Sequence, residues 1–221
     1  MMRTVATGIA LLLVVAGILW MVARKQGEKQ IFLAAARGEV DTVRSLLDRG
    51  ISPNARDEHG KTPIIWAAMS GSLSVVQLLL ERGADVNAAD KYGVTALMMA
   101  ANPRQRAQSN VVVTLLDKGA NINARDVNGR SPLMYALSDN EKEVAILLIE
   151  RGADVNATNN FGETPLTLAS MFGEPKVVEL LLKKGAKVDV KTNGGDTPLA
   201  LARKYNRKEA EQLLLQAGAK E

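Results

Sequence analysis

Apolar residues recur along this chain in short stripes that have the spacing of one helix face. One such stripe consists of Val75, Val76, Leu79 and Leu80. A helix with this pattern packs its apolar side against a neighbour and exposes the other side. Gly83 follows a charged pair at the end of the stripe. We expect the helix to end there, because glycine takes a left-handed conformation at little cost.

The same ending recurs six times along the chain. It lies at Gly50, Gly83, Gly119, Gly152, Gly185 and Gly218. Four of the five intervals between these glycines are 33 residues, and the interval from Gly83 to Gly119 is 36. A fixed period in this range is typical of stacked-repeat proteins. One unit cannot bury its apolar face alone, so stability must come from contact between neighbouring units.

A second recurring element predicts where the first helix of each unit begins. It reads Thr62-Pro63, Thr95-Ala96, Ser131-Pro132, Thr164-Pro165 and Thr197-Pro198. The hydroxyl of Thr62 or Ser131 is expected to cap its helix by accepting a backbone hydrogen bond. Proline suits the first helical position because the N–H that it lacks would have no partner there.

Four-residue turns are predicted between the units. Their sequences are Asp57-Glu58-His59-Gly60, Asp90-Lys91-Tyr92-Gly93, Asp126-Val127-Asn128-Gly129 and Asn159-Asn160-Phe161-Gly162. Aspartate or asparagine in the first place and glycine in the fourth are typical of type I turns. The predicted unit is therefore a turn followed by two helices.

The Thr-Pro element, together with closing phrases such as Gly83-Ala84-Asp85-Val86-Asn87, resembles the ankyrin repeat. The resemblance implies an all-α solenoid of helix-turn-helix units joined by β-turn hairpin loops, over residues 31–221. Its predicted parts are a capping repeat 31–57, repeats 58–90, 91–126, 127–159 and 160–192, and a C-terminal capping repeat 193–221.

The chain departs from the family pattern at the position after Thr-Pro-Leu, which is usually histidine. The residues there are Ile65, Met98, Met134, Thr167 and Ala200, so a familiar hydrogen bond at the helix start is expected to be missing. Trp66 and Tyr135 occupy a position that is usually a core leucine, and we interpret both as core residues.

The first 25 residues differ in kind from the repeats. Residues 5–23 carry no charge and, as a helix, would span roughly 28 Å, which is close to the hydrocarbon thickness of a bilayer. Arg3 precedes the run, and Arg24 and Lys25 follow it. This pattern predicts one N-terminal transmembrane helix, with residues 26–30 as a short linker. The alternative is a signal segment that is cleaved to release a periplasmic or secreted protein. The flanking charges leave open which side of the membrane holds the repeats.

Little in the sequence supports reaction chemistry. The chain has no cysteine and one histidine, His59, so no metal-ligand spacing is present. Phosphate-binding loops and nucleophile motifs are absent from the sequence. The net charge of +4 arises from charges that alternate in sign, which does not favour nucleic acid. We expect no catalysis, cofactor, metal or small-molecule substrate.

Binding to another protein is the remaining prediction, and the resemblance implies that a concave surface of turn tips and first helices carries it. The candidate partner-binding residues are His59, Lys61, Met69, Ser70, Tyr92, Val94, Arg104, Arg106, Asn128, Arg130, Ser138, Asp139, Phe161, Glu163, Met171, Phe172, Lys204 and Tyr205. Tyr92 and Phe161 are aromatic at turn tips, where packing does not require a ring.

Two parts of this surface have open alternatives. Phe161, Met171, Phe172 and Tyr205 would form an apolar patch, unless Met171 and Phe172 pack between repeats. Residues 102–110 contain a three-residue insertion with Arg104 and Arg106. It is either a neutral insertion or a basic contact for an acidic partner or lipid headgroup. If the leader is cleaved, the alternative function is a chaperone or inhibitor of a partner enzyme.

Overall fold

The computed structural model describes residues 25–102, 109–138, 142–172 and 174–220. Within these ranges the chain forms helices α1 to α12 and contains no strand, apart from one isolated bridge between Ala89 and Thr95. The helices are α1 (25–37), α2 (Val40–Asp48), α3 (Pro63–Ser70), α4 (Leu73–Glu81), α5 (Ala96–Ala101), α6 (Ser109–Asp117), α7 (Pro132–Leu137), α8 (Lys142–Glu150), α9 (Pro165–Phe172), α10 (Pro175–Lys183), α11 (Pro198–Lys204) and α12 (Lys208–Gln216).

The helices stack in two layers. The first helices contact one another in the order α3, α5, α7, α9, α11, and the second helices do so in the order α2, α4, α6, α8, α10, α12. Each first helix also contacts the second helix of its own unit. The predicted arrangement of helix pairs that bury one another in a row is confirmed.

Small and branched aliphatic side chains make the core between the layers. Val75, Val76 and Leu79 of the apolar stripe are fully buried in α4. Ala67 and Ala68 are buried in α3, where their small side chains allow neighbouring helices to come close. Full burial of a valine or leucine stabilises the fold by about 1.5–3 kcal/mol, so stacking is the main source of stability.

The six closing glycines adopt the predicted left-handed conformation, with φ between +82° and +90°. At Gly119 the backbone N–H donates to Leu116 at 2.9 Å, and the N–H of Ala120 donates to Leu115 at 2.9 Å. These bonds satisfy carbonyl groups that the end of α6 would otherwise leave without partners.

The helix starts agree only partly with the sequence-based prediction. Ser131 caps α7 as expected, accepting from the Met134 N–H at 3.4 Å. The prediction for Thr62 is wrong: its hydroxyl is buried and has no partner among the described residues. The reason is that the Ile65 N–H donates to the Thr62 carbonyl oxygen at 3.0 Å.

We number the repeats by their helix pairs, so that α1 and α2 form repeat one and α9 and α10 form repeat five, and each repeat includes the turn before its first helix. A hydrogen bond expected to be missing at the helix starts is present in repeat five. The Thr164 N–H donates to the Thr167 hydroxyl at 2.8 Å, and the Thr167 N–H donates to the Thr164 hydroxyl at 3.2 Å. This reciprocal pair resembles a capping box, with threonine in the place of the usual glutamate. Thr167 therefore compensates for the absent histidine at the start of α9.

The chain before the first full repeat is helical where a linker was expected, because residues 26–30 lie within α1. Gly27 lies so close to the next turn that a Cβ atom there would be 2.8 Å from Cδ1 of Ile51. The predicted transmembrane segment, residues 5–23, lies outside the described residues. No helix within the described ranges has the length and apolar character needed to cross a membrane.

Candidate partner-binding face

Each turn between repeats is held by the side chain of its first residue. In repeat three, Oδ1 of Asp90 accepts from the backbone N–H groups of Tyr92 at 2.8 Å and Val94 at 2.9 Å. Asp57, Asp126 and Asn159 make the same two bonds in their own turns. A short acceptor two residues before a backbone donor is typical of such turns, so the predicted preference for Asp or Asn has a structural basis.

The turn tips are also tied to one another by the backbone. The N–H groups of Lys91, Val127, Asn160 and Asn193 each donate to the carbonyl oxygen of the preceding tip residue, which is His59, Tyr92, Asn128 or Phe161, at 2.9–3.0 Å. This row of bonds, which we call the tip ladder, fixes the spacing of the tips without using their side chains. The side chains at the tips are therefore presented on a rigid support.

Apolar side chains stand exposed on this support. Tyr92 and Phe161 are 57% and 55% exposed, which agrees with their predicted place at turn tips. Val127, which the candidate residues did not include, is 58% exposed. Its exposure follows from its place as the second residue of a turn, and that position could have identified it from the sequence.

Two repeats carry a cluster of an aspartate, a basic residue and an aromatic residue. In repeat four, Oδ2 of Asp126 accepts from the Tyr135 hydroxyl at 2.9 Å and from Nε of Arg130 at 2.9 Å. The Arg130 guanidinium lies over the Tyr135 ring, 4.6 Å from its centre. Burial and the hydrogen bond to Asp126 raise the pKa of Tyr135 well above its usual value, so the phenol stays protonated and donates.

Repeat two contains the same cluster in a more exposed form. Nε1 of Trp66 donates to Oδ2 of Asp57 at 3.0 Å, and Nζ of Lys61 lies 4.8 Å from the centre of the Trp66 ring. The prediction that Tyr135 is a core residue is confirmed, whereas Trp66 is only half-buried. Both side chains donate a hydrogen bond to the aspartate that begins the turn of their repeat. A leucine at this position could not do so, and the family pattern therefore did not predict this role.

A pocket of about 430 Å³, which we call the central pocket, lies between these clusters on repeats two to four. Lys61 and Arg130 line it from the neighbouring repeats, and Val94, Met99 and Asp90 line it from repeat three. The predicted site residues His59, Tyr92 and Asn128 also line this pocket. The structure thus brings six of the predicted residues, His59, Lys61, Tyr92, Val94, Asn128 and Arg130, to one place.

A second pocket, of about 310 Å³, lies on the last two repeats. It is lined by Phe161, Glu163, Met171, Lys204 and Tyr205 of the predicted residues, so most of the expected apolar patch is present. Phe172 does not line the pocket. Met171 is half-buried against the core, which partly fits the alternative that it packs between repeats.

The charge on this face changes sign along the repeats. The residue directly before the Thr or Ser at each first-helix start is Lys61, Val94, Arg130, Glu163 and Asp196 in repeat order. At the central pocket the cations Lys61 and Arg130 stand beside the carboxylates of Asp90 and Asp126, whereas Glu163 and Asp196 supply the acidic groups on the last two repeats. Asp196 lies 3.5 Å from Nζ of Lys204, which offsets part of its charge.

Some predicted residues use their polar atoms within the fold. The Ser70 hydroxyl lies 3.3 Å from the Ala35 carbonyl oxygen and 3.1 Å from that of Ala67, and the Ser138 hydroxyl donates to Met134 at 2.9 Å. Met69 is half-buried and lines neither pocket. Three further candidates, Arg104, Arg106 and Asp139, lie outside the described residues.

An apolar groove on the first repeat was not expected from the sequence. Phe32, Leu33 and Ala36 of α1 line it together with Trp66 and Lys29. Leu33 is half exposed.

Comparison with known proteins gives the family. A family model described as "Ankyrin repeats (3 copies)" matches residues 1–90, 88–159 and 148–221. The crystal structure of an ankyrin repeat domain from Acinetobacter baumannii AYE is 32% identical to the chain, with a TM-score of 0.77. That alignment covers 87% of this chain and 100% of the other. The search of curated proteins gives no match.

These matches confirm the all-helical repeat fold. Ankyrin repeats are in general protein–protein interaction modules, and the fold is typically a binding scaffold without catalysis. Within the described ranges no group of three metal-ligating side chains lies close enough together to hold a metal ion. With the family model covering the chain and a solved domain at 32% identity, the protein belongs to the ankyrin repeat family.

Proposed function

We propose that this protein is a membrane-tethered interaction module that binds a partner protein through the face formed by the turn tips and the first helices. This is the concave surface in ankyrin proteins. One observation carries the proposal: Tyr92 and Phe161 are more than half exposed on a rigid tip ladder. Exposed aromatic side chains that do not serve packing are the residues that contribute most to protein interfaces. Because the support is preformed, binding requires little rearrangement.

The double variant Tyr92→Ala/Phe161→Ala tests the face directly. It should abolish pull-down of partners from native membranes while the thermal midpoint stays within a few degrees of wild type, since neither ring is buried. Leu215→Ala is the matched control, because Leu215 is also an exposed apolar residue but lies on α12 in the layer of second helices. Equal capture by the double variant and by wild type would place the binding surface elsewhere.

The charged side chains directly before the helix caps provide a second test of the face. An acidic region would face Lys61 and Arg130, and a basic region would face Glu163. The charge reversals Lys61→Glu and Glu163→Lys should each weaken capture, and the effect should shrink as salt is raised. A reversal at Glu209, which is exposed on α12, should have no effect. Capture that is indifferent to the first two reversals would contradict this assignment.

The membrane tether is supported by the uncharged run of residues 5–23, which has the length of a bilayer span. A tether would raise the local concentration of the repeats near membrane partners. The mass of the mature protein separates the tether from a cleaved leader: an intact N-terminus together with resistance to carbonate extraction is expected. A mature protein that starts near Gly17 or Arg24 would instead make the chain a released module.

A further inference from the structure

The clusters in repeats two and four follow one rule about the aspartate that begins each turn. Its Oδ1 holds the turn, and its Oδ2 accepts from an aromatic donor nine residues later. Trp66 donates to Asp57, and Tyr135 donates to Asp126. In repeat five the first residue of the turn is Asn159. Its Oδ1 also holds the turn, and its second polar atom, Nδ2, also has a partner, because it donates to Glu163 at 2.7 Å.

Repeat three breaks the rule. Oδ1 of Asp90 holds the turn, but the residue nine positions later is Met99, which has no donor. Val94 replaces the basic residue of the other clusters. Among the residues that the structure describes, none donates a hydrogen bond to Oδ2 of Asp90. The residue is only 8% exposed, but its Oδ2 opens onto a pocket and is not enclosed, so water or a ligand can reach it.

The central pocket lies where the missing aromatic side chain would be. Asp90 and Met99 both line it, and its volume of about 430 Å³ is within the range of small-ligand sites. Lys61 and Arg130 flank it, and in their own repeats these two cations lie over aromatic rings. The pocket therefore combines an unpaired acceptor, an apolar floor and two cations that contact ring faces.

We propose that the central pocket receives a tyrosine or tryptophan side chain of the partner protein, whose O–H or N–H donates to Oδ2 of Asp90. This inference rests on the proposed function, since it names the anchor that the partner inserts. The ring would lie over Met99 and Val94 and meet the flanking cations. It would complete in repeat three the arrangement that Trp66 and Tyr135 complete in their repeats.

Two other occupants fit less well. A lysine or arginine of the partner could pair with Asp90, but it would bring no ring to the apolar floor of Met99 and Val94 and no ring face to Lys61. A phenylalanine would fill the apolar space but would leave the carboxylate without a donor. The chemistry of the pocket thus selects an uncharged aromatic donor.

The probe is a library of random twelve-residue peptides, from which peptides that bind the immobilised full chain are selected. Selected peptides should be enriched in tyrosine or tryptophan at one position, and replacing that residue by phenylalanine should weaken binding about tenfold. Enrichment of lysine or arginine at the anchor, tolerance of phenylalanine, or the absence of any selected peptide would overturn the inference.

Two variants assign the anchor to this pocket. Met99→Tyr places the chain's own donor nine residues after Asp90, as Tyr135 is placed after Asp126. It should weaken the binding of the selected peptides at least tenfold. Asp90→Asn keeps the Oδ1 acceptor that holds the turn, as Asn159 does, but presents a donor to the pocket and should also weaken binding. Leu215→Tyr, on α12 in the layer of second helices, is the control for the added ring and should leave binding unchanged.

The outcomes also separate this inference from the proposed function. If the selected peptides bind Met99→Tyr and Asp90→Asn as tightly as wild type but are lost with Phe161→Ala, the face is the binding surface and the aromatic anchor is wrong. If all of these variants bind equally, both proposals fail. Loss with Met99→Tyr and Asp90→Asn together with tolerance of Leu215→Tyr supports the anchor.

Discussion

Replacing Asp126 by alanine tests how much the side-chain donors in repeat four stabilise the protein. The aspartate accepts four hydrogen bonds, from the backbone N–H groups of Asn128 and Arg130, from the Arg130 side chain and from the Tyr135 hydroxyl. The reference variant is Asp90→Ala, since the Asp90 side chain accepts two hydrogen bonds from the described residues, both from backbone N–H groups. The difference between the two variants isolates the side-chain donors.

The expected magnitudes follow from what each variant leaves without an acceptor. Asp90→Ala removes two turn bonds, at about 1 kcal/mol each, and should cost about 2 kcal/mol. Asp126→Ala removes the same two bonds and also orphans the buried Tyr135 hydroxyl, which adds about 2 kcal/mol. The Arg130 side chain is 38% exposed and can be rehydrated, so its contribution should be below about 1 kcal/mol. The total for Asp126→Ala is about 4–5 kcal/mol.

Urea unfolding followed by circular dichroism at 222 nm measures both variants in one detergent-containing buffer. Stacked repeats can unfold in parts, so the free energies are compared only if the urea dependence of the transition is the same in all variants. Tyr135→Phe alone should reproduce most of the difference in unfolding free energy between Asp126→Ala and Asp90→Ala. If the two alanine variants differ by less than about 0.5 kcal/mol, the Tyr135 and Arg130 bonds do not stabilise the turn and the reasoning is refuted.

Two further pairs of variants test local features by the same urea unfolding. Gly162→Ala should cost at least about 1 kcal/mol more than Gly119→Ala. Both glycines have positive φ, but only at Gly162 would a Cβ atom meet backbone, 2.7 Å from the nitrogen of Asn193. Equal losses of stability for the two variants would mean that the backbone at the tip ladder shifts to make room for the added Cβ atom. Thr62→Val should be neutral or stabilising because it removes a buried hydroxyl without a partner, whereas Thr167→Val should cost about 1 kcal/mol by breaking the reciprocal cap. A loss for Thr62→Val would show that its hydroxyl has a partner in solution.

Local chemistry explains why the repeat architecture could be predicted from the sequence. The helix-closing glycines, the proline at helix starts and the Asp-to-Gly turns each act within a few residues, so sequence spacing is sufficient to place them. The exposure of Tyr92 and Phe161 followed in the same way from their turn positions.

Features that depend on side-chain geometry across a turn were not predictable in this way. The bond from Tyr135 to Asp126 spans nine residues and requires a particular rotamer, and the replacement of a helix cap by a backbone bond at Thr62 leaves no trace in residue types. Ser70 was expected to be free for a partner, but its hydroxyl contacts a carbonyl oxygen of its own helix, that of Ala67, and one of α1, that of Ala35. The empty acceptor at Asp90 becomes visible only when its repeat is compared with the others.

The tip ladder has a consequence for how this protein changes over evolutionary time. Its bonds join main-chain atoms only, so a mutation at His59, Tyr92, Asn128 or Phe161 alters the chemistry displayed to a partner and leaves the framework in place. Substitutions at these positions can therefore change the binding preference one residue at a time without lowering the stability of the fold.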